Sequence, residues 1–290
     1  MKVPSRSGQE ARFQNGMALV AVLWITAALS LMLTGMTGSV RQEVRAATSA
    51  RQFVEGRAQG EAAINIVLQQ MAAQPASITQ QTVVAVPYRG INVQVQVLPM
   101  GGLIDVKSAS PELLQALFVI VGGLAPGPAT AAAQAVVQWR TRPGSTGQPL
   151  GLEAPEDLML VPGFPYDVYA RIAPLIAAGQ SSGGTVNPLS APSAVLLVLA
   201  RGNAAVATRI AAARDARQVG IDLTQLEASF IGGSTSRAYR LTANVPLPDG
   251  AGMSFSQSIT FQASAQSELP WRILQNSGAI SVTPGTTDRS

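Results

Sequence analysis

Neither cysteine nor histidine occurs anywhere in the 290 residues. Their absence excludes Ser-His-Asp and Cys-His nucleophile systems and the usual His or Cys zinc sites. It also leaves no disulfide to staple the chain or report its compartment. Charge is scarce as well: 12% of residues are charged against 47% apolar, and the formal net charge is +4. That balance gives weak attraction to acidic surfaces and no more. An enzyme built on this chain would have to work with carboxylates, Lys or Tyr. Glu156 and Asp167 are such a pair, but they come with no Gly-rich phosphate loop, activated nucleophile or metal set. Gly122, Gly123 and Gly127 lack the Lys-Ser/Thr of a P-loop. No catalysis is expected.

What the chain does have is one long greasy stretch, GMALVAVLWITAALSLMLTGMTGSV, over residues 16–40. From Met17 to Val40 there are about 24 uncharged residues. At roughly 1.5 Å of rise per residue, a helix of that length crosses a hydrocarbon core of about 30 Å. A secretory signal has an apolar run of only about 7 to 15 residues, so a transmembrane helix over 17–40 is expected. Lys2, Arg6 and Arg12 precede it against Glu10, which suits a cytoplasmic leader. Arg41, Arg45, Arg51 and Arg57 follow it, so charge counting alone leaves the orientation open. No proline interrupts the next stretch before Pro75. Val44, Ala47, Ala50, Val54, Ala58, Ala62 and Ile66 recur every three or four residues, predicting a helical extension over 41–74 whose lower half leans on a sheet.

Beyond Pro75 the period changes to two. Ile91, Val93, Val95 and Val97 alternate with Asn92, Gln94 and Gln96, and Thr82 to Tyr88 is a shorter partner across an Arg89-Gly90 turn. Tyr239, Leu241, Ala243 and Val245 repeat the alternation far downstream, and Met253 to Phe261 answers them after a turn. A lone hairpin is marginal in water, so 75–104 and 234–265 are expected to share one sheet, with 105–233 inserted between them. The insert reads as helices. Ser110 and Pro111 are an N-cap and first helical residue, and Gly122-Gly123 stops that helix. Helices are also expected over 128–140, from the cap-like opening at Ala154, and over 168–178. Val186-Asn-Pro-Leu-Ser190-Ala echoes Ile104-Asp-Val-Lys-Ser108-Ala, which looks like an internal duplication. The tail over 266–290 carries Ser, Thr, Gly and Pro around Ser277 to Ser290 and reads as disordered there, with Trp271, Ile273 and Leu274 as docking residues.

A polar leader ending in Gly16, followed at once by Met17 and the apolar helix, resembles the class III leader of type IV pilins and type II secretion pseudopilins. The resemblance implies that a prepilin peptidase cuts between Gly16 and Met17 and methylates the new N-terminus. Most members of that group carry Glu at the fifth mature position, where this chain has Ala21. That acid is thought to meet the ammonium of the neighbouring subunit. A tip subunit has no neighbour above it, and minor pseudopilin K of type II secretion lacks the acid. The series GGLIDVKSASPELLQALF, VVQWRTRPG, EAPEDLMLVPGF and VNPLSAPSAVLLVLA is similar to the K family in the same order. One departure is Arg140 and Arg142 after Trp139, where the family often has Asp.

The K resemblance implies an α+β pseudopilin fold: a long N-terminal helix on a small antiparallel sheet, an inserted all-α domain, and a single N-terminal transmembrane helix. It further implies an inner-membrane anchor with the soluble part in the periplasm, and a place at the tip of the pseudopilus. The implied partners are minor pseudopilins of the I and J types, the major pseudopilin, the prepilin peptidase and exported substrates. Thr34, Gly35 and Gly38 would let the membrane helices pack closely. Calcium binding in the soluble part is a family property, and Glu153, Glu156 and Asp157 are the tight acidic cluster here. They sit at a helix start, where the macrodipole also favours acids, and that reading is the one adopted, so no cofactor is expected. Val161-Pro-Gly-Phe-Pro resembles a helix-hairpin-helix turn, which raises a DNA-uptake or type IV pilus role. Residues 105–227 carry eight basic side chains against nine acidic ones. Phosphate binding needs a basic excess, so no nucleic acid is expected. A plain membrane-anchored periplasmic protein is the third reading.

Overall fold

The computed structural model describes residues 11–74, 78–143, 149, 151–179, 184–233, 236–248, 250–261 and 269–283, without the side chains of 11–18, 31–41, 45 and 276–283. Residues 1–55 and 56–290 form two compact units. Helix α1 runs from Ala11 to Ala73. In the first unit Leu19, Val20, Leu23, Trp24 and Ile25 are all exposed, so this part of the helix is apolar all round. Among the described residues no helix is long and apolar enough to cross a membrane. The candidate span extends on both sides into side chains that are not described.

The second unit is built on a five-stranded antiparallel sheet in the order β1-β2-β5-β6-β7. Its strands are β1 (Thr82–Tyr88), β2 (Ile91–Pro99), β5 (Ala238–Pro246), β6 (Gly252–Thr260) and β7 (Arg272–Thr283). Arg89 and Gly90 both have positive φ, 47° and 83°, as a two-residue type I′ hairpin requires. β2 pairs with β5, Val95 opposite Ala243 and Val97 opposite Leu241, so the early and late strands share one sheet as their periodicity predicts. Their apolar face carries Val93, Val95, Val97, Leu241, Ala243 and Val245, and the last turns of α1 cover it with Ile64, Val67, Leu68 and Met71.

The buried face of α1 is not the apolar stripe that marks the helix in the sequence. Val44, Ala47, Ala50, Val54 and Ala58 are exposed and Ile66 is half-buried, whereas Gly56, Gly60, Ala63, Ile64, Val67 and Leu68 are buried. The reason is close approach. A Cβ on Gly60 would lie 3.4–3.5 Å from Val245, Ala243 and Phe255, so the helix backbone rests almost on the sheet. A count of apolar side chains gives glycine no weight and therefore chooses the wrong face.

Between β2 and β5 lies the insert: β3 (Ile104–Asp105), α2 (Pro111–Ile120), α3 (Pro126–Thr141), α4 (Tyr166–Ile172), β4 (Ile176–Ala177), α5 (Ser193–Leu199) and α6 (Ala204–Asp215). It is not all-α, because β3 and β4 pair in parallel. Nor does a helix continue over 168–178. Pro174 has no N–H to donate and its ring crowds the preceding turn, so α4 tightens into a 3₁₀ turn at Ala173–Leu175. The opening at Ala154 likewise leads to a 3₁₀ helix, Pro155–Leu160. α2 starts as predicted: Ser110 Oγ accepts from Leu113 N at 3.2 Å, and Leu113, Leu114, Leu117 and Phe118 face inward.

The echo between the two halves of the insert extends to their contacts. Asp105 Oδ1 accepts from Lys107 N at 2.9 Å and Asn187 Oδ1 from Leu189 N at 3.0 Å, the same local turn twice. Arg140 on α3 donates to the carbonyl of Ala109 at 2.9 Å, and Arg214 on α6 donates to the carbonyl of Ala191. A Cβ on Gly102 would collide with the Ser190 carbonyl, and one on Gly184 with the Ser108 carbonyl. Each half thus reaches into the other through equivalent positions. Such reciprocity is what two copies related by a local two-fold would produce.

The tail departs from the disordered reading over 277–283, while 284–290 lie outside the described residues. Its described residues form β7, paired along β6, and Trp271 is buried edge-on against Phe261, with ring centroids 6.3 Å apart. Phe261 in turn meets Tyr239 at 5.8 Å. Three aromatic rings outweigh a polar composition that, taken alone, has no core to join.

Candidate functional site

Successive side chains of a strand alternate between faces, so Leu98, Arg240, Ser258 and Gln275 form a row on the sheet face opposite α1. The insert joins the sheet along this row. Arg240 donates through Nη1 to the Pro174 carbonyl at 3.0 Å and through Nη2 to the Ile176 carbonyl at 2.8 Å. Gln275 Nε2 donates to both carboxylate oxygens of Glu156 at 3.0 Å. Burial lowers the Arg240 guanidinium, with the Glu156 charge acting in the opposite direction. The Tyr169 hydroxyl beside them is raised, first by burial and then by Glu156. Arginine titrates so far above neutrality that a moderate depression leaves it charged, so its hydrogen bonds here are charge-assisted.

A cleft of about 530 Å³ opens beside these ties, with Gln96, Thr242 and Ser256 from the sheet facing Pro155, Pro174 and Pro192 from the insert. A second cleft of about 240 Å³ is also lined by Pro155 and Gln275. The charged groups at the seam are engaged with carbonyls and amides of the protein itself. The arrangement fastens two parts of the molecule and assembles no nucleophile, base or oxyanion cradle.

The acids selected from the sequence are not brought to one point. Glu153 pairs with Lys107, Asp157 Oδ2 accepts from Glu153 N and Ala154 N at 2.8 and 2.9 Å as a helix-start cap, and Glu156 faces Gln275. Among the described residues no group of three or more Asp or Glu could hold a metal ion. Ala21 is exposed on α1. The side chains of Gly16, Met17, Thr34, Gly35 and Gly38 lie outside the described residues. Sequence reading missed Arg240, Gln275, Gly56 and Gly60. The signal for Arg240 was present, as a long cation at an outward position of a strand otherwise patterned with Thr and Asn.

No protein-family model matches the chain, and no curated protein is significantly similar to it. A solved structure is. The chain matches one chain of the crystal structure of the GspK-GspI-GspJ complex from the enterotoxigenic Escherichia coli type 2 secretion system, with a TM-score of 0.52 and 11% sequence identity. The match covers 82% of this chain and 99% of that one. The mixed helix and antiparallel-sheet fold is therefore shared with that chain.

Proposed function

We propose that this chain is a K-type minor pseudopilin of a type II secretion system, with a structural rather than a catalytic role. The observation that carries the reading is the sheet split by a helical insert between β2 and β5, in a fold shared over nearly the whole of a chain from a type 2 secretion pseudopilin complex. In this reading the chain is cut between Gly16 and Met17 by a prepilin peptidase, and its new N-terminus is methylated. Residues 17–40 anchor it in the inner membrane with 56–290 in the periplasm. The all-round exposure of Leu23, Trp24 and Ile25 suits a lipid surrounding. So do the hydroxyls of Thr26 and Ser30, which donate to carbonyls of their own helix at 3.0 and 2.8 Å.

The partners are I- and J-type minor pseudopilins, whose membrane helices pack against Thr34, Gly35 and Gly38, with the major pseudopilin below. The insert makes the subunit too bulky for another to add above it, so assembly starts at or is capped by this chain, and exported proteins meet that face first. Crosslinking in native membranes followed by mass spectrometry tests the reading. The expected result is a methylated N-terminus at Met17 and crosslinks to I- and J-type subunits. A chain that keeps residues 1–16, or that recovers no pseudopilin, would overturn it.

A further inference from the structure

We propose that Arg240 and Gln275 form a latch that fixes the orientation of the helical insert on the sheet, and that the insert rocks about a small apolar root when the latch is broken. The root is the cluster of Leu98, Met100, Leu103, Ala177 and Ala238, with Leu274 packed against it. It is separate from the large core of the insert and from the core between α1 and the sheet. Each major body is thus internally packed, while the joint between them is a thin apolar contact. Thin joints between well-packed bodies are where shear and hinge motion occur.

Clefts of about 530 and 240 Å³ open at the joint and share Pro155 and Gln275 as lining residues, so the Gln275–Glu156 tie borders open space. Close packing resists movement, and here it is incomplete beside the tie. Arg240 holds the other side. Its two carbonyl partners, Pro174 in the 3₁₀ turn and Ile176 in β4, flank the point where the helix ends and the chain turns into the strand. The planar guanidinium meets two carbonyls at once, and a lysine ammonium cannot reproduce that fork. Arg240 is thus a positioning residue. The consequence for capping rests on the pseudopilin reading; the latch itself does not.

The absence of cysteine makes the test direct. Cysteines placed at the exposed positions Asn244 on the sheet and Ala131 on the insert, in the full chain in detergent micelles, take spin labels for distance measurement. With Arg240 and Gln275 intact, one narrow distance distribution is expected. Arg240→Met combined with Gln275→Ala should broaden or split it, and Arg240→Lys should give an intermediate width. Amide exchange over 172–179 should speed up on the order of tenfold in Arg240→Met, as loss of a charge-assisted hydrogen bond implies. If Arg240→Met fails to fold, Arg240→Lys and Gln275→Ala carry the test separately, each with a smaller broadening. Unchanged distributions in these folded variants would overturn the latch. A missing pseudopilin crosslink would overturn only the functional reading, because the distance measurement needs no partner.

Discussion

At Gly102 a methyl group would drive into the backbone carbonyl of Ser190, whereas at Gly56 it would meet only the side-chain ends of Met253 and Leu247. Backbone cannot step aside and a methionine can. Gly102→Ala is therefore expected to destabilise by about 1–3 kcal/mol and Gly56→Ala by much less, read from denaturant midpoints at constant slope. Gly60→Leu, placed against Val245, Ala243 and Phe255, should overpack by a similar about 1–3 kcal/mol. Acid sensitivity also belongs to single residues. The Glu227 carboxyl is lowered by Arg201, whose Nε lies 2.7 Å away, and then by Ser229, and the Asp222 carboxyl is lowered by Thr224. A lowered native pKa means that the unfolded chain takes up protons first. The contribution is complete above the ordinary carboxylate range of about 4 and is lost as pH falls through the lower native values. Melting temperatures measured from pH 6 to pH 3 should fall less steeply for Glu227→Gln than for the parent.

Elements obey local rules until a tertiary demand intervenes. α2 is determined locally, since Ser110 caps it and Pro111 opens it, and its stripe of Leu113, Leu114, Leu117 and Phe118 meets the insert core. Ser110→Ala should cost about 1 kcal/mol and Leu117→Ala about 2–5 kcal/mol by chemical denaturation, because the second leaves a cavity. α4 was legible only in part. Its apolar period continues past Ile172, but Pro174 stops the helix and Arg240, 66 residues away, takes up the freed carbonyl. α1 shows the reverse error: the helix was plain in the sequence, but its buried face was not. Which face of a helix is inside depends on how near its partner comes, and the glycines that allow the approach carry no hydrophobic signal.

On the scale of the molecule, residues 56–290 form one compact unit although they hold two large hydrophobic cores. One cooperative transition is therefore expected in calorimetry of the full chain in detergent, shifted alike by Leu117→Ala in the insert and Val95→Ala in the sheet. Two separable transitions would mean that the root and latch do not couple the cores. The sequence by itself determined the kinds of element and their order: a continuous helix, period-two strands at both ends of the soluble part, and a duplicated helical middle. The elements follow from short-range periodicity, capping and turn chemistry, and the duplication from the likeness of 186–191 to 104–109, none of which needs a tertiary contact. The tertiary structure alone decided the α1 face, the strand formed by the tail, and the seam at Arg240 and Gln275. Each of these depends on residues far apart in the chain meeting at a few ångströms, and no local pattern encodes such a distance.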